Sequence, residues 1–101
     1  MQNNAIFNHR NVIDQSGHKV GTVSDVVADP TTLEPRWLVV DAGLMRSSHY
    51  VPVSGAEHTP TGEIMVPFDK STVRQAVKAH GSHVPSNVDE QDLGAHYHLV
   101  D

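Results

Sequence analysis

Apolar residues recur along the first two thirds of the chain in short runs that are separated by glycine and proline turns. Val12 and Ile13 form the first run, and residues 14–17 form a tight turn that ends on a glycine. Residues 20–29 contain four valines, and residues 36–42 form a continuous apolar run. Valine favours sheet because its side chain is stiff at the first torsion. The pattern therefore predicts a strand in each of these segments.

Residues 20–29 are ambiguous, because their valines also fit the spacing of one helix face. The glycine at position 21 and the turns on both sides favour a strand instead. A bulge between Gly21 and Ser24 would let the apolar period slip by one residue. We therefore predict a bulged strand, followed by a loop at residues 29–35 whose two prolines stop either flank from continuing a ladder.

Two more strands are predicted further along the chain. Residues 49–53 have strand character, and Pro52 places them at a sheet edge or at a strand end. Residues 63–68 alternate, so that Ile64, Val66 and Phe68 face one way. The turn between these segments has a plausible hairpin tip at residues 61–62.

The last third of the chain changes to helical character. Asp69 or Ser71 can cap a first helix, and Gly81 is placed to end it. A second short helix is predicted at residues 89–98, with acidic residues in its first turn, where the helix dipole favours them.

Together these elements predict a mainly β fold: a small, bent antiparallel β-barrel of about five or six strands, followed by one or two short C-terminal helices. A chain of 101 residues is expected to form one such unit. We expect residues 1–5 to be a flexible N-terminal tail and residues 6–68 to form the β domain. Residues 69–101 are expected to be a helical extension packed on the barrel.

Composition excludes several classes of protein. The chain has 12 acidic and 7 basic residues, and its net charge is −5. Without a long basic run, direct contact with nucleic acid is not expected. Cysteine is absent, which excludes disulfides and thiolate chemistry. No apolar run approaches the ~18 residues of a spanning helix, and no signal-peptide pattern is present, so we expect a cytoplasmic protein without membrane insertion.

The eight histidines of the chain are the residues that most strongly suggest a chemical role. His80, His83, His96 and His98 lie close together in the sequence and are candidate metal ligands, although their spacing does not favour one site. A pH response of the same histidines is an equal alternative.

The sequence offers no catalytic residue. Ser54 precedes a glycine but lacks a nucleophile elbow, and the acids at positions 89, 90 and 92 are better explained by capping of a helix. We therefore predict neither an enzyme nor a bound cofactor.

Aromatic and valine residues suggest an interface. Trp37, Val39, Tyr50 and Tyr97 are the predicted contact residues for a partner or a second copy. Both alternate positions of residues 20–27 and 37–40 carry apolar side chains, more than one face of a sheet needs. Two copies that cover each other would bury them, so a homodimer is predicted.

Five segments in order resemble the PRC-barrel domain family, in particular its stand-alone bacterial form. They are residues 12–17, 19–26, 37–40, 51–53 and 66–70, and the residues 93–97 resemble the end of that form. The resemblance implies a small barrel, self-association and a role as an interaction module, with no catalytic residue to carry over.

We therefore predict a non-enzymatic scaffold that forms a homodimer and docks an unidentified protein. Two alternatives stay open at this point: a metal- or pH-responsive module that uses the C-terminal histidines, and an accessory protein of ribosome or RNA processing.

Overall fold

The computed structural model of the protein describes residues 7–42, 47–79 and 84–99. In chain order its elements are β1 (Asn11–Ile13), β2 (Lys19–Ala28), β3 (Pro35–Asp41), β4 (Ser48–Pro52), β5 (Glu57–His58), β6 (Ile64–Met65), α1 (Lys70–Arg74) and α2 (Asn87–His96). The predicted mainly β fold with two short C-terminal helices is confirmed.

The six strands form one sheet in the order β4-β3-β2-β1-β6-β5. Neighbours are antiparallel except for β1 and β6, which are parallel, with Val12 opposite Ile64 and Ile13 opposite Met65. The ladder continues one residue beyond β6, because the Val66 amide donates to the Ile13 carbonyl oxygen. The sheet is bent but does not close into a barrel.

The predicted bulge in β2 lies at Ser24. The pairing with β3 shifts register between Val23 and Asp25, which leaves Ser24 as the extra residue. As a result Val23 and Val26 enter the same apolar cluster although they are three residues apart, while Val27 enters another. The bulge therefore explains why valines with helix-like spacing lie on one face of a strand.

Gly21 occupies the closest approach between β2 and β3. A Cβ atom at this position would lie 2.2 Å from the Asp41 carbonyl oxygen and 2.8 Å from Cγ1 of Val40. Only glycine fits there without moving the backbone of β3.

Apolar side chains cover both faces of the central strands. Along β3, Leu38 and Val40 belong to one cluster, which we call the inner cluster, whereas Trp37 and Val39 belong to an outer cluster on the opposite face. The outer cluster consists of Val27, Trp37, Val39, Tyr50, Ala76, Ala79, Leu93 and Tyr97. Its last four members lie C-terminal to the sheet, so the C-terminal third of the chain covers the second face.

Both helices begin at a side-chain cap. Asp69 accepts a hydrogen bond from the Thr72 amide at 2.8 Å, as the sequence predicts for the first helix. Ser86 accepts one from the Asp89 amide at 3.1 Å, so the second helix begins two residues before the predicted position 89. It also ends before 98, where His98 has a φ of 56°.

The first helix is much shorter than predicted. It ends at Arg74 because Lys78 pairs with His49 as an isolated β-bridge and the Ala79 amide donates to the Ser48 oxygen. Gly81, the predicted end, lies outside the described residues. No helix in the described ranges has the length and apolar character needed to cross a membrane.

The predicted strand at residues 63–68 is also shorter than expected. It is regular only at Ile64 and Met65, with one further ladder hydrogen bond from the Val66 amide, and it forms a hairpin with β5, a segment that the sequence predicts as a turn. The predicted hairpin tip is present, since Gly62 has a φ of 88° and its amide donates to the Thr59 oxygen.

Candidate interaction surface

The four predicted interface residues lie in the interior of the chain. Trp37, Val39, Tyr50 and Tyr97 are all members of the outer cluster, and none is more than 3% exposed. They are covered by α2 and by the segment that follows α1. A partner would reach these four side chains only if the C-terminal segment left the sheet.

The homodimer prediction rests on apolar side chains at both alternate positions of β2 and β3, and the fold buries these side chains within one chain. The second apolar face of β2 and β3 is covered by Ala76, Ala79 and Leu93 of the same chain. Self-association therefore needs a different surface from the one that the sequence suggests.

The edge of β4 is closed by the same C-terminal segment. The Ala79 amide donates to the Ser48 oxygen at 2.8 Å, and the Tyr97 hydroxyl donates to the Tyr50 oxygen at 2.6 Å. Pro52 has no amide hydrogen to offer. Burial raises the pKa of the Tyr97 phenol far above its usual value, so this hydroxyl remains a donor. A partner strand has no free ladder positions to pair with at these residues.

His49 is a buried polar residue that the sequence analysis missed. Only 2% of it is exposed, its Nδ1–H donates to the Ala76 oxygen at 2.9 Å, and Nε2 lies 3.2 Å from the Ser47 hydroxyl. Both ring nitrogens therefore have a partner, and the bond to Ala76 holds the segment that follows α1 against β4. The sequence carries no signal for this role, because it depends on the bridge between His49 and Lys78.

Two of the four candidate metal ligands can be placed. Nε2–H of His96 donates to the Thr72 oxygen at 2.6 Å, whereas His98 is exposed. His80 and His83 lie outside the described residues. Within the described part of the chain, no three histidine or acidic side chains are placed to hold a metal ion. A site that includes His80 and His83 stays a prediction.

A groove between β3 and α2 is the surface feature with the most unusual chemistry. It has a volume of about 350 Å³ and is lined by Arg36, Trp37, Glu90, Gln91, Gly94, Ala95 and Leu99. We call it the α2 groove. Nε of Arg36 donates to Oε1 of Glu90 at 2.7 Å, and a second guanidinium nitrogen contacts the same oxygen. The Arg36 guanidinium also lies over the Trp37 ring, 5.3 Å from its centroid.

Trp37 carries an unpaired hydrogen-bond donor. Its indole Nε1–H is buried and has no acceptor among the described residues, and the only other such buried side-chain atom there is Oδ1 of Asn8. Leaving a buried donor unsatisfied costs about 1–3 kcal/mol. Because Trp37 is only 1% exposed, this donor is closed to solvent and to a partner in the groove.

The α2 groove could be only partly predicted. The sequence predicts Trp37 as a contact residue and Glu90 as part of the first turn of a helix. The pairing of Arg36 with Glu90 depends on 54 intervening residues, and no local pattern indicates it.

One comparison with known proteins identifies the family of the chain. The family model for the PRC-barrel domain matches residues 7–101, which is nearly the whole sequence, and the observed sheet is consistent with that fold. No curated protein is similar enough to count as a match. The family is one of small non-catalytic β modules. The chain belongs to the PRC-barrel domain family.

Proposed function

We propose that this chain is a non-enzymatic interaction module that acts in the cytoplasm, forms a homodimer and docks a protein at the α2 groove. The sheet and the C-terminal segment serve as a rigid frame. The function of the frame is to present the groove with a fixed shape.

The observation that carries the proposal is the apolar surface that stays exposed beside the groove. The outer cluster beneath α2, Trp37 included, is packed and closed to a partner. A docked protein would therefore contact the outer side of α2 and leave the outer cluster in place.

Two valines form this exposed surface. Val88 is 67% exposed on α2, and Val84, just before the helix, is 51% exposed. Both lie on the outer side of the segment that covers the sheet. A contact that covered α2 would remove this apolar area from water.

The two alternatives gain no support from the described residues. A metal-responsive module would need the histidines of the C-terminal segment to converge, and His96 is engaged with Thr72. An RNA-processing accessory would dock a ribosomal protein rather than RNA, in keeping with the net charge of −5. That alternative shares the docking role and differs in the identity of the partner.

Site-specific photo-crosslinking in cells tests the proposal. A benzophenone amino acid is placed at Ala95, which lines the groove, and in a matched control at Ser71, which is exposed on α1. We expect a discrete crosslinked protein from position 95 and none of the same mass from position 71. Equal products from both positions, or none from position 95, would contradict the proposal.

A further inference from the structure

We infer that the exposed side of α1 binds an acidic segment of another protein in an extended conformation. The site consists of Lys19, Lys70 and Arg74, which we call the α1 basic surface. It shares no residue with the α2 groove, so the inference goes beyond the proposed function and does not depend on it.

The α1 basic surface joins two grooves that share a lysine. Lys70 and Arg74 line a groove of about 550 Å³ together with Ser71 and Gln75. Lys70 also lines an adjoining groove of about 290 Å³, which contains Lys19 at the start of β2. The surface therefore gathers three cations in a chain that has only 7 basic residues against 12 acidic ones.

The cations of this surface are not paired within the fold. Lys19, Lys70 and Arg74 are all exposed, and none makes an ion pair with another described residue. Among the described residues that line the two grooves, the one acid is Asp41, whose carboxylate already accepts a hydrogen bond from the Ser48 hydroxyl. The three cations are therefore open to an external anion.

The position of Lys70 disfavours the helix that carries it. Lys70 is the first residue of α1, where the helix dipole favours an acid, and the first turn of α1 contains none. Arg74 suits the last turn, but it lies four residues from Lys70, so the two like charges repel each other across one turn. Because the fold gains nothing from a cation at position 70, we attribute Lys70 to a contact with a ligand.

The spacing of the cations fits an extended acidic segment. Residues four apart on a helix have their Cβ atoms about 5–6 Å apart, which describes Lys70 and Arg74. In an extended chain, every second side chain points the same way, and such side chains follow each other at about 7 Å. Acidic residues at alternate positions of the segment therefore reach Lys70 and Arg74 in turn, and a third reaches Lys19 in the adjoining groove.

The net charge of the chain favours a short acidic segment over a larger polyanion. Because that charge is −5, a nucleic acid or an anionic bilayer would also face the acidic residues outside the α1 basic surface and be repelled by them. Attraction to three exposed cations is local, since the Debye length at physiological salt is about 8 Å. A short segment with three carboxylates meets the three cations and little else.

Titration with defined peptides tests the inference. The probe is a pentapeptide with blocked ends that alternates glutamate and threonine, with glutamate first, and it is added to ¹⁵N-labelled protein at physiological ionic strength. We expect saturable shifts of the Lys19, Lys70, Ser71 and Arg74 amide signals. A peptide of the same composition with its glutamates adjacent should bind about threefold more weakly, because only two of its carboxylates lie on one side. A peptide with glutamine in place of glutamate should not bind.

Lys70→Glu should change binding and stability in opposite directions. We expect it to weaken binding of the alternating peptide about tenfold and to raise the midpoint of urea unfolding, because the first turn of α1 gains the acid that the helix dipole favours. Lys78→Glu is an equal charge change at an exposed position outside both grooves, and it should change binding by less than about twofold. A lower unfolding midpoint for Lys70→Glu would show that Lys70 serves the fold and would overturn the inference.

Two results of the titrations would also overturn the inference. In the first, Lys78→Glu weakens binding as much as Lys70→Glu, so that the attraction is general. In the second, tripolyphosphate or phosphatidylglycerol vesicles bind the same amides more tightly than the alternating peptide, so that the ligand is a phosphate. The proposed function is tested separately, because crosslinking from Ala95 reports on the α2 groove, and a protein bound at the α1 basic surface would crosslink from Ser71 with a mass of its own.

Discussion

The hydroxyl of Tyr97 donates a hydrogen bond to the main-chain oxygen of Tyr50 at 2.6 Å, which ties the end of α2 to the edge strand of the sheet. The Tyr97 ring also lies 4.5 Å from the Phe68 ring, centroid to centroid. This residue therefore connects the C-terminal segment to both the sheet and the start of α1, and it holds the far wall of the α2 groove in place.

Removing the hydroxyl should destabilise the protein measurably. We expect Tyr97→Phe to lower the free energy of unfolding by about 1–3 kcal/mol, because the Tyr50 oxygen loses its donor while the ring is kept. Urea unfolding followed by far-UV circular dichroism measures the change. His98→Ala, at an exposed neighbouring position, is the control and should change stability by less than about 0.5 kcal/mol. Equal stability of Tyr97→Phe and the wild type would show that α2 docks without this bond.

Substitution of Gly21 and of Gly94 by alanine should change the stability of the protein in opposite directions. Gly21→Ala forces a Cβ atom to within 2.2 Å of the Asp41 oxygen, so we expect destabilisation by several kcal/mol or failure to fold. Gly94→Ala has open space and lies in a helix, so it should stabilise by up to about 1 kcal/mol. Thermal unfolding of the two variants beside the wild type makes the comparison. A tolerated Gly21→Ala would contradict the close approach of β2 and β3.

Asp69, which caps α1, should make the stability of the protein depend on pH in the acidic range. The hydrogen bond from the Thr72 amide holds the pKa of Asp69 below the ordinary value of an aspartate. Because the folded pKa is lower than the unfolded one, the stabilisation is present above the unfolded pKa and is lost as the pH falls through the folded pKa. The urea midpoint of the wild type should therefore fall between about pH 5 and about pH 2.

Asp69→Asn isolates this contribution, since asparagine also caps helices but does not titrate. The difference in urea midpoint between wild type and variant should shrink or reverse in acid. An unchanged difference across the same pH range would show that Asp69 contributes nothing to the acid dependence. Asp29, whose pKa is lowered by amide hydrogen bonds from Thr32 and Thr31, adds a contribution of the same sign in both proteins.

The buried side chain of His49 should contribute to the stability of the fold. His49→Leu leaves the Ala76 oxygen without its donor, so we expect a loss of about 1–3 kcal/mol. His49→Asn keeps a donor near the position of Nδ1 and should recover part of that loss. Chemical unfolding of both variants measures the effect, and a His49→Leu variant as stable as the wild type would refute the assigned role.

The sequence was sufficient for the strands that carry the fold. β2, β3 and β4 lie within one residue of their predicted ends, because their valine-rich runs are bounded by glycine, proline and polar turns. Even the bulge at Ser24 could be anticipated, since an unbroken strand cannot place Val23 and Val26 on one face.

The C-terminal third could not be predicted in the same way. Its helices are short and weakly patterned, and their ends are fixed by contacts with distant strands, such as the bridge between Lys78 and His49. For the same reason the sequence predicts a partner contact on the apolar face that carries Trp37 and Tyr50. Nothing local shows that Leu93 and Tyr97 of the same chain cover it.

The central claim is that α2 of this same chain covers the outer cluster and buries Trp37, and the single tryptophan of the chain makes this directly observable. Quenching of tryptophan fluorescence by acrylamide measures how far the indole is open to solvent. We predict weak quenching in the native wild type and stronger quenching in a Leu93→Glu variant, whose α2 can no longer pack on the sheet. Strong quenching of the native wild-type protein would contradict the account.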